Sequence, residues 1–178
     1  MGTLKKDYLL SDIKVIDAAS FIAGPSAATI MSDYGAEVIK IEPQNGDSLR
    51  NLITNGRMPE GPENYCWELT SRNKKSVSLN LKDEKAHNIL IDLIKEADVF
   101  ITNMPFPIRK KLKITSDDIR PHNAKLIYAS LTGYGEVGPD ADRTAYDSVA
   151  WWARSGLMDF IRPSNNSPVA WSTPGMGD

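Results

Sequence analysis

The stretch IKVIDAASFIAGPSAATIMSDYGAEVIKIE, Ile13 to Glu42, decides the fold. Ile13, Val15 and Ile16 form a short β-branched run that reads as a strand. Gly24 and Pro25 break it. The small, apolar segment Ser26 to Tyr34 reads as a helix packed closely on a sheet and ended by Gly35 as its C-cap. Val38 to Ile41 is a second strand. Two short apolar strands joined through a helix make a right-handed parallel βαβ unit. Its turn, Ala23-Gly24-Pro25-Ser26, then falls at the carboxyl edge of the sheet, where open α/β sheets bind ligands. Glu42 ends the second strand where the ribose-binding acid of a dinucleotide site would stand. The turn holds one glycine, however, and a pyrophosphate needs the three of GxGxxG to approach the backbone. Helix N-terminal amides still suit some anion, and a turn that merely lets helix meet sheet explains Gly24 equally well.

The same alternation continues along the chain. Pro43 to Gly61 is rich in turn formers and reads as a surface loop near the carboxyl edge. Trp67 to Leu69 reads as a short extended piece, and Ser76 to Leu81 alternates as a half-buried strand. Lys82 to Ala97 is the clearest helix, with Asp83 at its start and Ala86, Ile89, Leu90, Leu93, Ile94 and Ala97 at helical spacing. His87 lies off that stripe and reads as solvent-facing. Asp98 to Asn103 is a buried-type strand, Thr115 to Pro121 a brief capped helix, and Leu126 to Leu131 a strand. Ala145 to Phe160 reads as a helix buried over much of its surface, and Val169 to Ser172 as a last strand. Strands alternating with helices predict an α/β fold with a mainly parallel sheet.

With 178 residues, 41% hydrophobic and 25% charged, the chain can bury a real core as mostly one globular domain. The net charge of −2 gives no field for nucleic acid or an anionic membrane. No apolar run spans a bilayer and no signal-peptide core opens the chain, so a cytoplasmic location is the expectation. The single cysteine, Cys66, excludes an internal disulfide framework, and two histidines, His87 and His122, make a His-rich metal site unexpected.

Three features bear on chemistry. Lys74, Lys75, Lys82, Arg109, Lys110 and Lys111 flank strand ends, where cations reach phosphates, although each alone also reads as a solvated side chain. The turn TGYGEVGP, Thr132 to Pro139, brings backbone amides close to a ligand or simply reverses the chain. The closing Gly175-Met176-Gly177-Asp178 sets a carboxylate beside glycines, where a substrate carbonyl approaches closely, and carboxylates serve as covalent nucleophiles. A GxSxG elbow, a Walker loop, an HExxH helix and paired CxxC motifs are missing from the sequence.

LSDIKVIDAASFIAGPSAATIMSDYGAEVIKIEP, SRNKKSVSLNLK, ADVFITN, KLIYASLTGYGEVGPD, AYDSVA and PGMGD occur in an order and spacing that resemble the class III CoA-transferases, the CaiB/BaiF family. The resemblance runs from Leu10 to Asp178. FIAGPSA, LTGYGEVGPD, WWARSG and PGMGD look nearest to the branch acting on 2-hydroxy acids such as phenyllactate and hydroxyisocaproate. The resemblance implies a Rossmann-like, mainly parallel sheet with flanking helices, the first half of an interlocked fold, with residues 1–178 as the amino-terminal part of a CoA-binding large domain. It implies coenzyme A or acyl-CoA as substrate, a free carboxylic acid as second substrate, and no metal.

The catalytic aspartate of the family falls on Asp178, which would attack the acyl-CoA thioester and give a mixed anhydride, then an aspartyl-CoA thioester. The family's CoA contacts fall on Ile22 and Ala23, on Leu79, Asn80, Leu81 and Lys82, on Asn103 and Met104, on Lys111, and on Thr144, Ala145 and Tyr146. Ile22 replaces a polar residue and Thr144 a lysine found in some transferases, so contact there is expected by shape alone. The related acyl-CoA racemases use a histidine in a GHD motif. Here the motif reads Ala145-Tyr146-Asp147, and tyrosine, with an ordinary pKa of about 10, is a poor base near neutral pH. Transfer is therefore favoured over racemisation. Family members run to about twice this length and work as interlocked homodimers, so an incomplete fragment with little turnover of its own is expected; a non-catalytic CoA-binding module is the alternative.

Overall fold

A computed structural model describes residues 8–53, 59–173 and 175–178. Five parallel strands form one sheet: β1 (Lys14–Asp17), β2 (Glu37–Glu42), β3 (Lys75–Ser78), β4 (Val99–Thr102) and β5 (Ile127–Ser130). Their order is β3-β2-β1-β4-β5, the doubly wound arrangement in which the chain reverses direction across the sheet beside β1. Because every pairing is parallel, all five carboxyl ends share one edge.

Alternation along β1 sends Val15 and Ala19 to one face, where Ala28 of α1 (Ala23–Asp33) meets Val38 and Ile101. Ile16 and Ala18 go to the other face, against Leu90, Ile91 and Ile94 of α3 (Glu84–Lys95) with Phe100, Ile114 and Ile119. Both faces of β4 are buried, as its unbroken run VFIT requires. Asp83 caps α3 by accepting from the amides of Lys85 and Ala86. Thr115 and Asp118 close a reciprocal capping box on α5 (Ser116–Ile119).

Several expectations are corrected. Helix α1 begins at Ala23, so Gly24 and Pro25 lie inside its first turn, where proline lacks no needed hydrogen bond. Gly24 is there because a Cβ would stand 2.4 Å from that of Ala19. The segment around Trp67 is helical, not extended: α2 (Tyr65–Ser71) is capped by the Asn64 side chain and held to α1 by the Thr29 hydroxyl, which donates to the Thr70 carbonyl at 2.5 Å. Val169 to Ser172 joins no strand. The expected long helix from Ala145 is a π-type turn (Ser148–Ala153) and a short α6 (Leu157–Phe160), divided by Gly156 at φ +84°. His87 is half-buried, its Nε2 lying 3.1 Å from the Lys113 carbonyl. Among the described residues no helix is long and apolar enough to cross a membrane.

A buried ionic cluster closes the carboxyl end of β1 and β2 on the α1 and α2 side. Lys74 Nζ, with its side chain 1% exposed, donates to Asp17 Oδ2 (2.8 Å) and to the carbonyls of Pro25 and Thr70 (2.7 Å each). Lys40 Nζ donates to the Ala19 carbonyl (2.9 Å) and pairs with Asp47 (3.1 Å) and Asp17 (3.7 Å). Glu42 is likewise engaged: Arg50 bonds both its oxygens at 2.7 Å, the Asp47 amide and the Ser76 hydroxyl donate to it, and Arg50 stacks 3.5 Å over Trp67. A carboxylate so occupied holds no ribose.

Two outcomes follow. Asp17→Asn leaves two buried ammonium groups short of a counterion and should lower unfolding stability by about 3–5 kcal/mol in denaturant titrations. Burial pushes the Glu42 carboxyl up, but its Arg50 and Ser76 hydrogen bonds outweigh this and take it from 4.5 down to about 2. Its contribution is therefore complete above the unfolded-state value and is lost as pH falls from about 5 towards 2. The stability of Glu42→Gln should be lower near neutrality and flatter across that window.

Candidate active site

The loops leaving β1, β4 and β5 surround a cleft of about 900 Å³ at the carboxyl edge. Segment 20–23 forms one wall and 103–106, the start of α4 (Phe106–Leu112), another; 130–134 and 143–148 form a third, and Gly175, Gly177 and Asp178 close it. The first two walls are joined by Asn103, whose Oδ1 accepts from the Ser20 amide (2.9 Å) and whose Nδ2 donates to the Ser20 carbonyl (2.7 Å). This locks the turn after β1 to the end of β4. Within that turn Phe21 adopts φ +61°, a left-handed conformation rare outside glycine, and its ring meets Tyr146 edge to face at 5.9 Å.

Arg109 fastens the third wall. Fully buried on α4, it donates to the Met104 carbonyl, the Ser130 hydroxyl and Glu136 Oε1, each at 2.6 Å. The hydrogen bonds of Ser130 and Arg109 hold the Glu136 carboxyl below its ordinary range. TGYGEVGP thus has a fixed course at its base. Gly133 is required within it, since a Cβ would lie 2.1 Å from that of Ala145.

Asp178 stands on the cleft wall. Partial burial pushes its carboxyl up, and Asp147 nearby adds repulsion in the same direction. The Gly177 amide faces Asp147 Oδ2 at 3.4 Å. Gly177 lies flat on the Trp151 side chain, where a Cβ would come within 2.7 Å of the ring, and Gly175 turns at φ +78° against Ile22. The two glycines are therefore what lets the segment reach the cleft. Trp151 is a cleft wall, Trp152 is buried with its Nε1 donating to the Ala170 carbonyl (2.8 Å), and Trp171 is exposed.

Of the residues singled out from sequence, Ile22, Ala23, Asn103, Met104, Thr144, Ala145, Tyr146 and Asp178 line this one cleft. Leu79, Asn80, Leu81 and Lys82 do not; they follow β3 on the far side of β2, with Leu79 and Leu81 turned into the core and Asn80 capping its own turn. Lys111 is exposed on α4 outside the cleft. The expected cationic rim is reduced. Lys74 and Arg109 are internal ion-pair partners, and Lys75 pairs with Glu37 at the amino end of its strand. Tyr134, in the turn singled out from sequence, lines the cleft, as do Phe21 and Arg143, which were not named individually; nothing local in the sequence marks a left-handed phenylalanine.

A family described as CoA-transferase family III matches residues 10–178. The (R)-2-hydroxy-4-methylpentanoate CoA-transferase of Clostridioides difficile is 40% identical over 171 residues, which are 96% of this chain and 43% of that protein. The cinnamoyl-CoA:phenyllactate CoA-transferase of Clostridium sporogenes is 39% identical over 171 residues, 96% of this chain and 41% of that protein. A CaiB/BaiF family protein from Brucella suis superposes with a TM-score of 0.80 at 28% identity, covering 97% of this chain and 45% of its own. The chain thus spans less than half the length of these relatives.

Gly177→Ala should displace the segment carrying Asp178. A shift in Trp151 fluorescence, with an unfolding midpoint close to wild type, is the expected readout.

Proposed function

The chain belongs to CoA-transferase family III, and from that premise we propose that it supplies the CoA-binding, nucleophile-bearing part of an enzyme that moves CoA between an acyl-CoA and a free carboxylic acid. The observation that carries this is Asp178, held on the wall of a cleft at the carboxyl edge of the sheet. An Asp178 oxygen attacks the thioester carbonyl carbon, the C–S bond breaks, and CoA leaves as thiolate. The acyl-aspartyl anhydride keeps the acyl group activated. The thiolate then attacks the aspartyl carbonyl, releasing the first acid and leaving an aspartyl-CoA thioester. The second acid's carboxylate attacks that thioester, and the returning thiolate takes up the new acyl group, restoring Asp178. The cleft's contribution is to hold the partners in contact, since a carboxylate is otherwise a weak nucleophile.

In this reading Ile22, Ala23, Asn103, Met104, Thr144, Ala145 and Tyr146 hold the thioester end of acyl-CoA, while Leu79, Asn80, Leu81, Lys82 and Lys111 lie along its outer reach. Residues 1–178 are the amino-terminal part of the large domain, and the working enzyme is a cytoplasmic homodimer acting on 2-hydroxy acids. Phe160 and Trp171, each 85% exposed, and Met176 at 62% offer the apolar surface that further chain or a second subunit would cover. Tyr146 at the position of a racemase histidine favours transfer over racemisation.

The test uses the protein extended through the segments its relatives carry. Wild type should exchange CoA between acyl-CoA and a 2-hydroxy acid, and hydroxylamine during turnover should convert Asp178 to a hydroxamate found by peptide mass spectrometry. Asp178→Asn should lose activity by about 10³-fold or more and give no hydroxamate. The wild-type rate should fall as pH drops, with onset above the ordinary aspartate range, because Asp178 attacks only when ionised. Exchange undiminished in Asp178→Asn would refute the assignment.

A further inference from the structure

The charged side chains lining the cleft, among the described residues, are Asp147, Asp178 and one cation, Arg143. Both substrates of the proposed reaction are anionic: acyl-CoA through its phosphates, the acid through its carboxylate. Two fixed carboxylates repel both, so something nearby must offset them.

Arg143 does not stand alone. It also lines a second hollow of about 530 Å³, with Tyr134, Thr144, Val149, Ala153 and Arg154. The two spaces share Tyr134, Arg143 and Thr144 in their linings, and so are adjacent. Asp140 accepts from Arg154 Nη2 at 2.5 Å and pairs with Arg143 Nε at 3.1 Å. It thereby turns two guanidinium groups towards each other with one negative charge between them, an excess of one positive charge. Arg154 is further fixed by stacking 4.9 Å over Tyr134. Both arginines remain half-exposed or more, in contrast to the buried Arg109. A guanidinium carries five N–H donors; Asp140 accepts one from Arg154 and holds Arg143 as an ion pair. What is left is two solvent-accessible forks gathered on one carboxylate beside an otherwise acidic cleft, a donor set suited to oxyanions.

We propose that Arg143 and Arg154 form an oxyanion subsite at the rim of the cleft, taking a phosphate of CoA or the carboxylate of the free acid, a proposal that rests on the CoA-transferase reading. Neither Lys82 nor Lys111 lines this hollow, so it is a cationic locus distinct from theirs.

The experiment compares the full-length wild type with Arg143→Gln, Arg154→Gln and Arg143→Lys. It measures the Kd of CoA and of pantetheine, which lacks phosphates, by titration calorimetry, and the KM of the acid. If the subsite takes phosphate, each Gln variant weakens CoA by about 10- to 100-fold, the worth of a charge-assisted hydrogen bond, and leaves pantetheine unchanged. If it takes carboxylate, the KM of the acid rises by that factor and the Kd of CoA holds. In either case Arg143→Lys recovers part of the loss, and added salt weakens wild type more than the Gln variants. Folded Gln variants that match wild type in both constants overturn the subsite. Should Arg143→Gln fail to fold, Arg154→Gln and Arg143→Lys decide on the same criteria. A wild type that neither binds CoA nor exchanges it overturns the transferase reading itself, an outcome distinct from variants that behave like an active wild type.

Discussion

The structure depends on a buried carboxylate, Asp17, at the end of the central strand. Where β1, α1 and α2 converge, the carbonyls of Ala19, Pro25 and Thr70 point inward at buried lysine ammonium groups, the last two also accepting from the Thr29 hydroxyl. Leaving them unsatisfied would be costly. Lys40 and Lys74 reach in to bond them, and two buried ammonium groups are tolerable only with Asp17 and Asp47 beside them. The course of the turn after β1 is thus set by electrostatics. That turn carries Ser20 to Ala23 to the cleft.

Arg109 plays the corresponding part across the cleft, where it ties the end of β4 to the end of β5 through the Met104 carbonyl, Ser130 and Glu136. Two sets of cations bear on the cleft. Those at strand ends on the interior satisfy carbonyls and hold loops in place. Those on the loops themselves, Arg143 and Arg154, share a single partner and stay accessible to solvent. The cleft is shaped by the first population and faced by the second.

Elements whose stability is local were legible in the sequence. The apolar stripe of α3 with its Asp83 cap, the unbroken apolar run of β4 and the Thr115 capping box each declare themselves within a dozen residues. Helix α2 did not, because Tyr65-Cys66-Trp67 carries no helical period and the segment is fixed by α1, through a bond from Thr29 to Thr70 some 41 residues away. The buried charges were illegible for the same reason. Lys74 meets Asp17 across 57 residues and Arg109 meets Glu136 across 27, and a lone cation in a sequence looks like surface. The segment from Ala145 to Phe160 has apolar residues enough for a buried helix, yet Gly156 and the lack of anything packed over Phe160 leave it broken and open. Segment resemblance, not periodicity, named residues that the fold brings to one cleft, Asp178 among them, without singling out Phe21 or Arg143, which also line it.

Phe21 has a consequence for how such a protein changes under selection. A left-handed backbone at a bulky residue costs about 1–3 kcal/mol, and glycine or asparagine would relieve it. Selection for heat tolerance alone therefore favours losing the phenylalanine wherever the strain outweighs what the ring's contacts contribute. The ring, however, is half of the edge-to-face contact that braces Tyr146 in the cleft. Retention of an aromatic here marks a lineage in which the contact with Tyr146 outweighs the strain.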